Sequence, residues 1–319
     1  MAGEFDLIRR YFTRPTPQAV LGVGDDAALM QLSPGTQLAV SADMLVQGTH
    51  FFPDADPEKL GWRTLAVNVS DMAAMGAKPR WATLALALPS ADETWLAAFA
   101  RGFFDCAATF GVDLVGGDTT RGPLAFSVQI MGEVPCGQAL RRDGAQPDDD
   151  IWVSGHLGDA MLAVSAISRK VALDEVELDA CLPAFLTPQP RIALGLALRN
   201  MATSAIDISD GLTSDLGHIL ERSQKGAEVY MEQIPRSPTL GKRLNTELGR
   251  NCLLSGGDDY ELCFTAAPAH RHRINDLSGE LSLPLTRIGR ITEDAAFRMI
   301  DASGTPLTHI PSGYDHFAT

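Results

Sequence analysis

The sequence predicts a two-domain protein of α/β class with mixed α+β character. Three observations carry that expectation. The chain has 319 residues, a length that suits two domains or one large one. Apolar runs of strand length alternate with helical patterns in both halves, the order that builds sheets flanked by helices. Between the halves lies a polar stretch, Gly144 to Asp150, with Pro147 and three aspartates; it sets the expected domains at 1–145 and 146–319.

In chain order, Glu4 to Phe12 reads as a short amphipathic helix. Gly22-Val23-Gly24 makes a tight turn ahead of Asp25 and Asp26. Leu38 to Ser41 is a strand ending on Ser41-Ala42-Asp43. Pro57 to Gly76 is a helix: Asp56 caps it, alanine and methionine favour it, Gly76 stops it and Pro79 follows. Trp81 to Leu88 is apolar throughout, but Pro79 and Pro89 bracket a run too short for a helix, so it reads as strand. Asp92 to Phe110 is a long helix with a capping box at Asp92 and Glu93. Asp113-Leu114-Val115 leads into a glycine turn, Gly116-Gly117, before Asp118. Leu124 to Val134 alternates like a half-buried strand. The second half opens with the strand Ile151-Trp152-Val153, then a turn through Gly155 and Gly158 into a helix. Helices are expected at 175–186, 190–201, 213–225 and 268–279. Strands are expected at 204–208, 227–231, 261–265, 286–291 and 297–301.

The composition narrows the function. A formal net charge of −14 argues against nucleic acid or an anionic membrane as the main partner. No run approaches the roughly 18 apolar residues of a membrane span, and the acidic opening residues do not read as a secretory signal. The cysteines Cys106, Cys136, Cys181, Cys252 and Cys263 form no CxxC pair and read as reduced, mostly buried thiols of a cytoplasmic protein.

The chemistry gathers on acidic residues. The 57–76 helix is apolar on nearly every face, so it lies inside the protein, yet Asn68 and Asp71 share one of its faces. A buried carboxylate needs an ion pair, hydrogen bonds or a metal. Other acids stand at strand ends and glycine turns: Asp25-Asp26, Asp43, Asp118, Asp207, Asp210 and Asp258-Asp259. Each alone fits a turn-forming aspartate. The repetition of the pattern in both halves fits carboxylates at the ligand crevice of an open α/β sheet, held apart by cations. Oxygen ligands without a His/Cys cluster favour Mg2+. The chain has no GxxxxGK[ST] loop and no protein-kinase signature set. Glycine pairs before carboxylates let phosphates approach backbone N–H groups, and Arg121, Arg141 and Arg142 are either phosphate contacts or surface arginines. His50, beside Phe51-Phe52, is either packed and satisfied or a substrate contact.

Taken in order, Gly22-Val23-Gly24-Asp25-Asp26-Ala27, Ser41-Ala42-Asp43, Gly48-Thr49-His50-Phe51, Asn68-Val69-Ser70-Asp71-Met72-Ala73-Ala74-Met75-Gly76, Gly116-Gly117-Asp118-Thr119, Asp207-Ile208-Ser209-Asp210-Gly211-Leu212, Ser255-Gly256-Gly257-Asp258-Asp259-Tyr260-Glu261-Leu262 and Gly313-Tyr314-Asp315-His316-Phe317 resemble the thiamine-monophosphate kinase family. The resemblance covers essentially the whole chain. It implies ATP-dependent conversion of thiamine phosphate to thiamine diphosphate with several Mg2+ ions. The implied fold is that of aminoimidazole ribonucleotide synthetase, a homodimer pairing its N-terminal sheets into a barrel. The N-terminal domain would bind ATP and Mg2+ and dimerise; the C-terminal domain would complete the active site. Matched by motif, the implied metal positions are Asp26, Ser41, Ala42, Asp43, Asp71, Asp118, Asp207 and Asp210. Asp71, Asp118 and Asp210 are the implied catalytic carboxylates. The implied ATP contacts are Gly117, Asp118, Arg142 and Ser209, and the implied substrate contacts are His50, Asp258 and Tyr314. Two positions depart from the family. Ala42 stands where threonine is common and offers only its backbone carbonyl. Asp258 stands where glutamate is usual and is shorter by one methylene. The competing readings are another ATP-using member of the superfamily and an acidic cation-binding protein. Selenophosphate synthetase carries a reactive residue near its N-terminus, whereas the first cysteine here is Cys106; a cation buffer would show contiguous EF-hand-like loops, and none is present.

Overall fold

The structure, a computed structural model, describes residues 3–311 and 313. The chain divides into two compact units, one of residues 1–72 and 77–137, the other of residues 73–76 and the chain from 138 onward.

The first unit is built from α1 (Glu4–Leu7), β1 (Thr36–Val46), α2 (Pro57–Ala74), β2 (Lys78–Leu88), α3 (Glu93–Phe110), β3 (Asp113–Arg121) and β4 (Ala125–Pro135). Its four strands lie in the order β1-β4-β2-β3, with β2 and β3 parallel and the other pairs antiparallel. The expected helix over 4–12 is α-helical only to Leu7; Ile8–Phe12 continues as a π-helical turn that buries Tyr11 and Phe12. At the end of α2, Gly76 takes a positive φ of 60°, and Ala77 N–H reaches back to the Met72 carbonyl at 2.8 Å. That is the left-handed termination glycine permits. Asp92 caps α3 by accepting from the Thr94 and Trp95 N–H groups at 2.9 and 3.1 Å. The expected capping box is absent, because Glu93 is the first helical residue and bonds Arg10 and Tyr11 instead. α2 and α3 cross at Gly61 and Gly102, where a Cβ on either glycine would overlap the other helix's backbone. Phe99 of α3 stacks on Phe126 of β4 with ring centroids 4.8 Å apart, which places the unit's core between helix and sheet.

Two strand expectations are corrected. β1 does not end at Ser41-Ala42-Asp43 but runs through it to Val46, because β4 supplies partners along that whole length. Gly116-Gly117 is not a turn but lies within β3, beside an irregularity opposite Ala82 and Thr83. Glycine inside a strand marks a bulge or a close backbone approach, and here it marks both.

The second unit contains β5 (Asp150–Ser154), α4 (Asp159–Ile167), α5 (Glu175–Leu186), α6 (Ile192–Ala197), β6 (Ala202–Asp207), α7 (Leu212–Ser223), β7 (Gly226–Tyr230), α8 (Pro238–Gly241), α9 (Glu247–Ser255), β8 (Leu262–Ala266), α10 (Arg271–Glu280), β9 (Leu285–Thr292) and β10 (Phe297–Ile300). The six strands run β10-β7-β9-β5-β8-β6. Trp152 stacks on Phe264, centroids 6.4 Å apart, at the heart of a cluster with Leu194, Leu198, Leu262 and Ile274. The sequence reading did not anticipate α8 and α9. The signal for α9 was Thr246, whose hydroxyl accepts the Gly249 N–H at 3.0 Å. No helix among the described residues is long and apolar enough to cross a membrane.

Candidate active site

In the first unit the loop carrying Asp25 and Asp26 is held at both ends. Gln18 bonds the Gly111 carbonyl through Nε2 at 2.8 Å and receives Arg80 Nη1 at 2.7 Å; its own N–H reaches Asp113 at 2.8 Å. At the other end the Ser33 N–H donates to Glu133 at 2.6 Å, and Arg80 Nε donates to the same carboxylate at 2.9 Å. Burial opposes ionisation of Glu133, but the Ser33 N–H, the Arg80 guanidinium and the Ser33 hydroxyl together lower its pKa. A depressed carboxyl contributes stability above its unfolded pKa, lost as pH falls through the folded one. Glu133→Gln is therefore expected to cost about 1–3 kcal/mol at neutral pH. Its melting temperature should converge on that of the parent protein as pH drops below the ordinary carboxylate range; a gap constant with pH would remove Glu133's charge from the explanation.

Between this loop and the edge of β3 lies a cavity of about 590 Å³, with Asp26, Gly117 and Asp118 together on its wall. Its apolar side comes from Phe5, Ile8 and Phe12, which the sequence reading did not single out; the amphipathic face of the N-terminal helix was the available signal. Gly117 has φ +145°, and a Cβ there would overlap the Leu84 backbone across the β2–β3 pair. Gly117→Ala is expected to cost roughly 3 kcal/mol or more, a drop of about 6–12 °C in melting temperature. A thermal melt within 2 °C or so of the parent would show that the strand yields freely.

Ser41 and Asp43 lie on one face of β1, and Ala42 lies on the other among the exposed Leu38, Val40 and Met44. His50 follows a turn in which its Nδ1 accepts the Val46 N–H at 3.0 Å. The neutral ring therefore carries its proton on Nε2. Asp71 sits on α2, three residues after the fully buried Asn68. Asp43 and Asp118 stand on opposite edge strands of the sheet and do not share the cavity.

In the second unit Asp207 ends β6, and Ser209, Asp210 and Gly211 lead into α7. Asp215 of α7, 2% exposed, accepts both the Ser209 and Asp210 N–H groups at 3.0 Å and so shapes that loop. The loop is laced to the next motif: Asp258 N–H donates to the Ser209 carbonyl and Tyr260 N–H to the Ile208 carbonyl, both at 2.8 Å. Asp258 and Tyr260 take positive φ of 72° and 50°, so both spend backbone strain on this arrangement. Glu261 secures the far end through Arg191 Nε at 2.7 Å and Ser154 Oγ at 2.5 Å. Arg142 is exposed in the loop before β5, while Arg141 is committed to Asp143. Tyr314 lies outside the described residues. The chain just before it is anchored, because Thr213 donates to the Pro311 carbonyl at 2.8 Å and Gly313 lies against Ser214 and the Asp210 carbonyl. Asp215 and Arg191 were not singled out in the sequence, and Glu261 stood there only as part of a motif, since nothing local separates a structural carboxylate from one aimed at a ligand.

The donor chemistry suits a hard cation. Burial first, then the Asp207 carboxylate, with Asp210 adding to them, pushes Asp215 up to about 8 despite its two N–H donors. Asp259, buried with both oxygens on the Gly158 N–H, is likewise raised by burial and by Glu261, Asp159 and Asp258. Asp207 and Asp210, close enough to raise Asp215, are the carboxylates that a nearby cation would relieve. Among the described residues no three His, Cys, Asp or Glu side chains already form a cage for one ion. Mg2+ needs none, because it is commonly held by one or two carboxylates, waters and substrate phosphates.

Both halves match models of AIR synthase related proteins, the N-terminal domain over residues 24–134 and the C-terminal domain over 146–302. The thiamine-monophosphate kinase of Escherichia coli strain K12 is 46% identical over 321 residues, covering 99% of each chain. The crystal structure of the thiamine-monophosphate kinase from Stenotrophomonas maltophilia K279a is 49% identical, with TM-score 0.84 over 89% of this chain and 91% of that one. A further solved structure, AaThiL complexed with AMPPCP and TMP, is 29% identical with TM-score 0.79 over 90% and 89%. Within the AIR synthase related proteins, this chain belongs to the thiamine-monophosphate kinase family.

Proposed function

We propose that the protein transfers the γ-phosphoryl group of ATP to thiamine phosphate, forming thiamine diphosphate, the closing step of its biosynthesis. The observation that carries this reading is the identity of 46% along 99% of both chains, with every quoted motif in order. A melting panel tests it. Mg2+ with a non-hydrolysable ATP analogue should raise the melting temperature, thiamine phosphate should add to that, and the full mixture should yield thiamine diphosphate. Stabilisation by the nucleotide with no thiamine diphosphate formed would move the protein to another branch of the superfamily.

Asp26, Ser41, Asp43, Asp71 and Asp118 of the first domain, with Asp207 and Asp210 of the second, are the side chains assigned to Mg2+; Ala42 offers its carbonyl. When bound, Mg2+ neutralises phosphate charge and polarises the γ-phosphoryl group. Gly117, with no side chain over the cavity wall, lets the nucleotide approach the backbone, and Phe5, Ile8 and Phe12 offer it an apolar surface. Arg142 and Ser209 are assigned to ATP, and His50, Asp258 and Tyr314 to thiamine phosphate. The domain roles follow: residues 1–145 carry ATP, metal and the dimer contact, and 146–319 complete the site.

Transfer is direct and in line, since Asp71, Asp118 and Asp210, the candidate catalytic carboxylates, are already assigned to Mg2+. A chiral γ-phosphate should invert; net retention would reveal a phosphoenzyme.

We also infer a homodimer. Leu38, Val40 and Met44 are 45%, 50% and 59% exposed along one face of an edge strand, an apolar stripe that a second N-terminal sheet would cover. Light scattering should give twice the 34.2 kDa chain mass, and a monomer at micromolar concentration would refute it. The setting we infer is cytoplasmic, where ATP is available and thiols stay reduced.

A further inference from the structure

Asn68 is fully buried, 0% exposed, one turn before Asp71 on α2. Its Oδ1 accepts the backbone N–H of Asp43 at 3.0 Å, and its Nδ2 donates to the Thr64 carbonyl at 3.1 Å. Asp43 pairs with Val128 of β4, and among the described residues β1 is an edge strand of its sheet. The Asp43 N–H therefore points at a fully buried amide, so the tie lies in the interior between β1 and α2. Burying that amide costs solvation, which its two hydrogen bonds must offset. An apolar side chain would serve the packing of α2 equally well, as Leu65, Val69 and Met72 do on the same helix. The amide adds something an apolar residue cannot: a directional tie between two backbones. One end holds the strand at Asp43, and the other holds the helical turn that leads to Asp71.

We propose that Asn68 is a positioning residue for phosphoryl transfer, setting the separation of the Asp43 and Asp71 carboxylates by tying β1 to α2. This rests on the assignment of Asp43 and Asp71 to Mg2+ under the proposed function. Its short side chain has two rotatable bonds and both polar ends engaged, so the tie leaves little slack. Groups that orient metal ligands without touching the ion typically change metal affinity by about 10–100-fold when removed.

The test compares the full-length parent protein with Asn68→Ala, Asn68→Asp, Asp43→Asn and Val69→Ala. Val69 is equally buried and makes no polar tie, so it controls for simple loosening of the helix. The readouts are the melting temperature without divalent ions, Mn2+ binding by electron paramagnetic resonance in the presence of a non-hydrolysable ATP analogue, and the Mg2+ concentration for half-maximal turnover. In Asn68→Ala, Mn2+ binding should weaken and the Mg2+ requirement rise by about tenfold or more. The KM for thiamine phosphate should stay within about threefold of the parent value. Asn68→Asp keeps an oxygen to accept the Asp43 N–H, gives up the donor to the Thr64 carbonyl within α2, and should recover part of the Mn2+ binding. If Asn68→Ala does not fold, recovery in Asn68→Asp still supports the proposal, and loss there overturns it. An equal rise in Mg2+ requirement for Val69→Ala overturns it as well, since loosening alone would then suffice. Unchanged Mn2+ binding in Asn68→Ala, with Asp43→Asn deficient, sinks the positioning role alone. Unchanged binding in Asp43→Asn sinks the metal assignment beneath it.

Discussion

Asp71→Asn is expected to give a folded protein whose turnover is lower by at least about a thousandfold, the equivalent of roughly 4 kcal/mol in the barrier. The substitution keeps the shape of the side chain and removes one anionic oxygen. Asp71 stands on a helix whose Leu65, Ala66, Val69 and Ala73 are all 0% exposed, so the backbone beneath it is rigid and little else should change. Both reacting phosphate groups are anionic and the chain has few lysines, so under the proposed function carboxylate-held cations neutralise that charge. Removing one such ligand weakens the ion where charge is being transferred. Circular dichroism and a thermal melt check the fold, and single-turnover kinetics at saturating substrates check the chemistry. A structural acid would behave in the opposite way, with a lowered melting temperature and undiminished activity per folded molecule; that result would falsify the catalytic assignment.

The second large effect is in substrate choice: free thiamine should be phosphorylated several orders of magnitude more slowly than thiamine phosphate, even at concentrations that saturate binding. A phosphate monoester has its second pKa near 6 and is mostly dianionic at neutral pH, so its oxygen attacks without losing a proton first. An alcohol must give up a proton, and kinases acting on hydroxyls place a carboxylate to take it. His50 is poorly suited to that task. With Nδ1 accepting the Val46 N–H at 3.0 Å and the proton on Nε2, the neutral ring has no lone pair left for a base. The substrate contact proposed for it is a donation from Nε2, not a proton abstraction. His50→Gln should therefore raise the KM for thiamine phosphate and reduce turnover only modestly. The acid limb of the pH profile should follow the substrate's own ionisation. Collapse of turnover at saturation with metal binding intact, or efficient phosphorylation of thiamine, would show that a base exists.

Much of this molecule follows from short-range chemistry. Asp92 had to cap α3, because its side chain reaches N–H groups two and three residues ahead. Gly76 had to end α2, because it takes the left-handed conformation at low cost. The prolines at 79 and 89 made strand the better reading of the apolar run between them, and the ordered acidic motifs pointed to the family before any contact was known. Other features were decided only by partners distant in sequence. Gly116-Gly117 is strand and not turn because β2 pairs with it in parallel, and no local signal reports that register. β1 runs past Asp43 because β4 is long enough to hold it. Asp26 meets Gly117 and Asp118 on one cavity wall only because Gln18, Arg80 and Glu133 pin a loop from the start of the chain to the sheet. Asp215 looks in sequence like any helical aspartate. Its part in shaping the Ser209-Asp210 loop appears only when the chain folds back and burial removes water as the competing partner for those N–H groups. Local propensity thus determines which segments are helix or strand and where many of them stop. Which carboxylates come together is set by strand register and buried hydrogen bonds, whose energies depend on groups dozens of residues away.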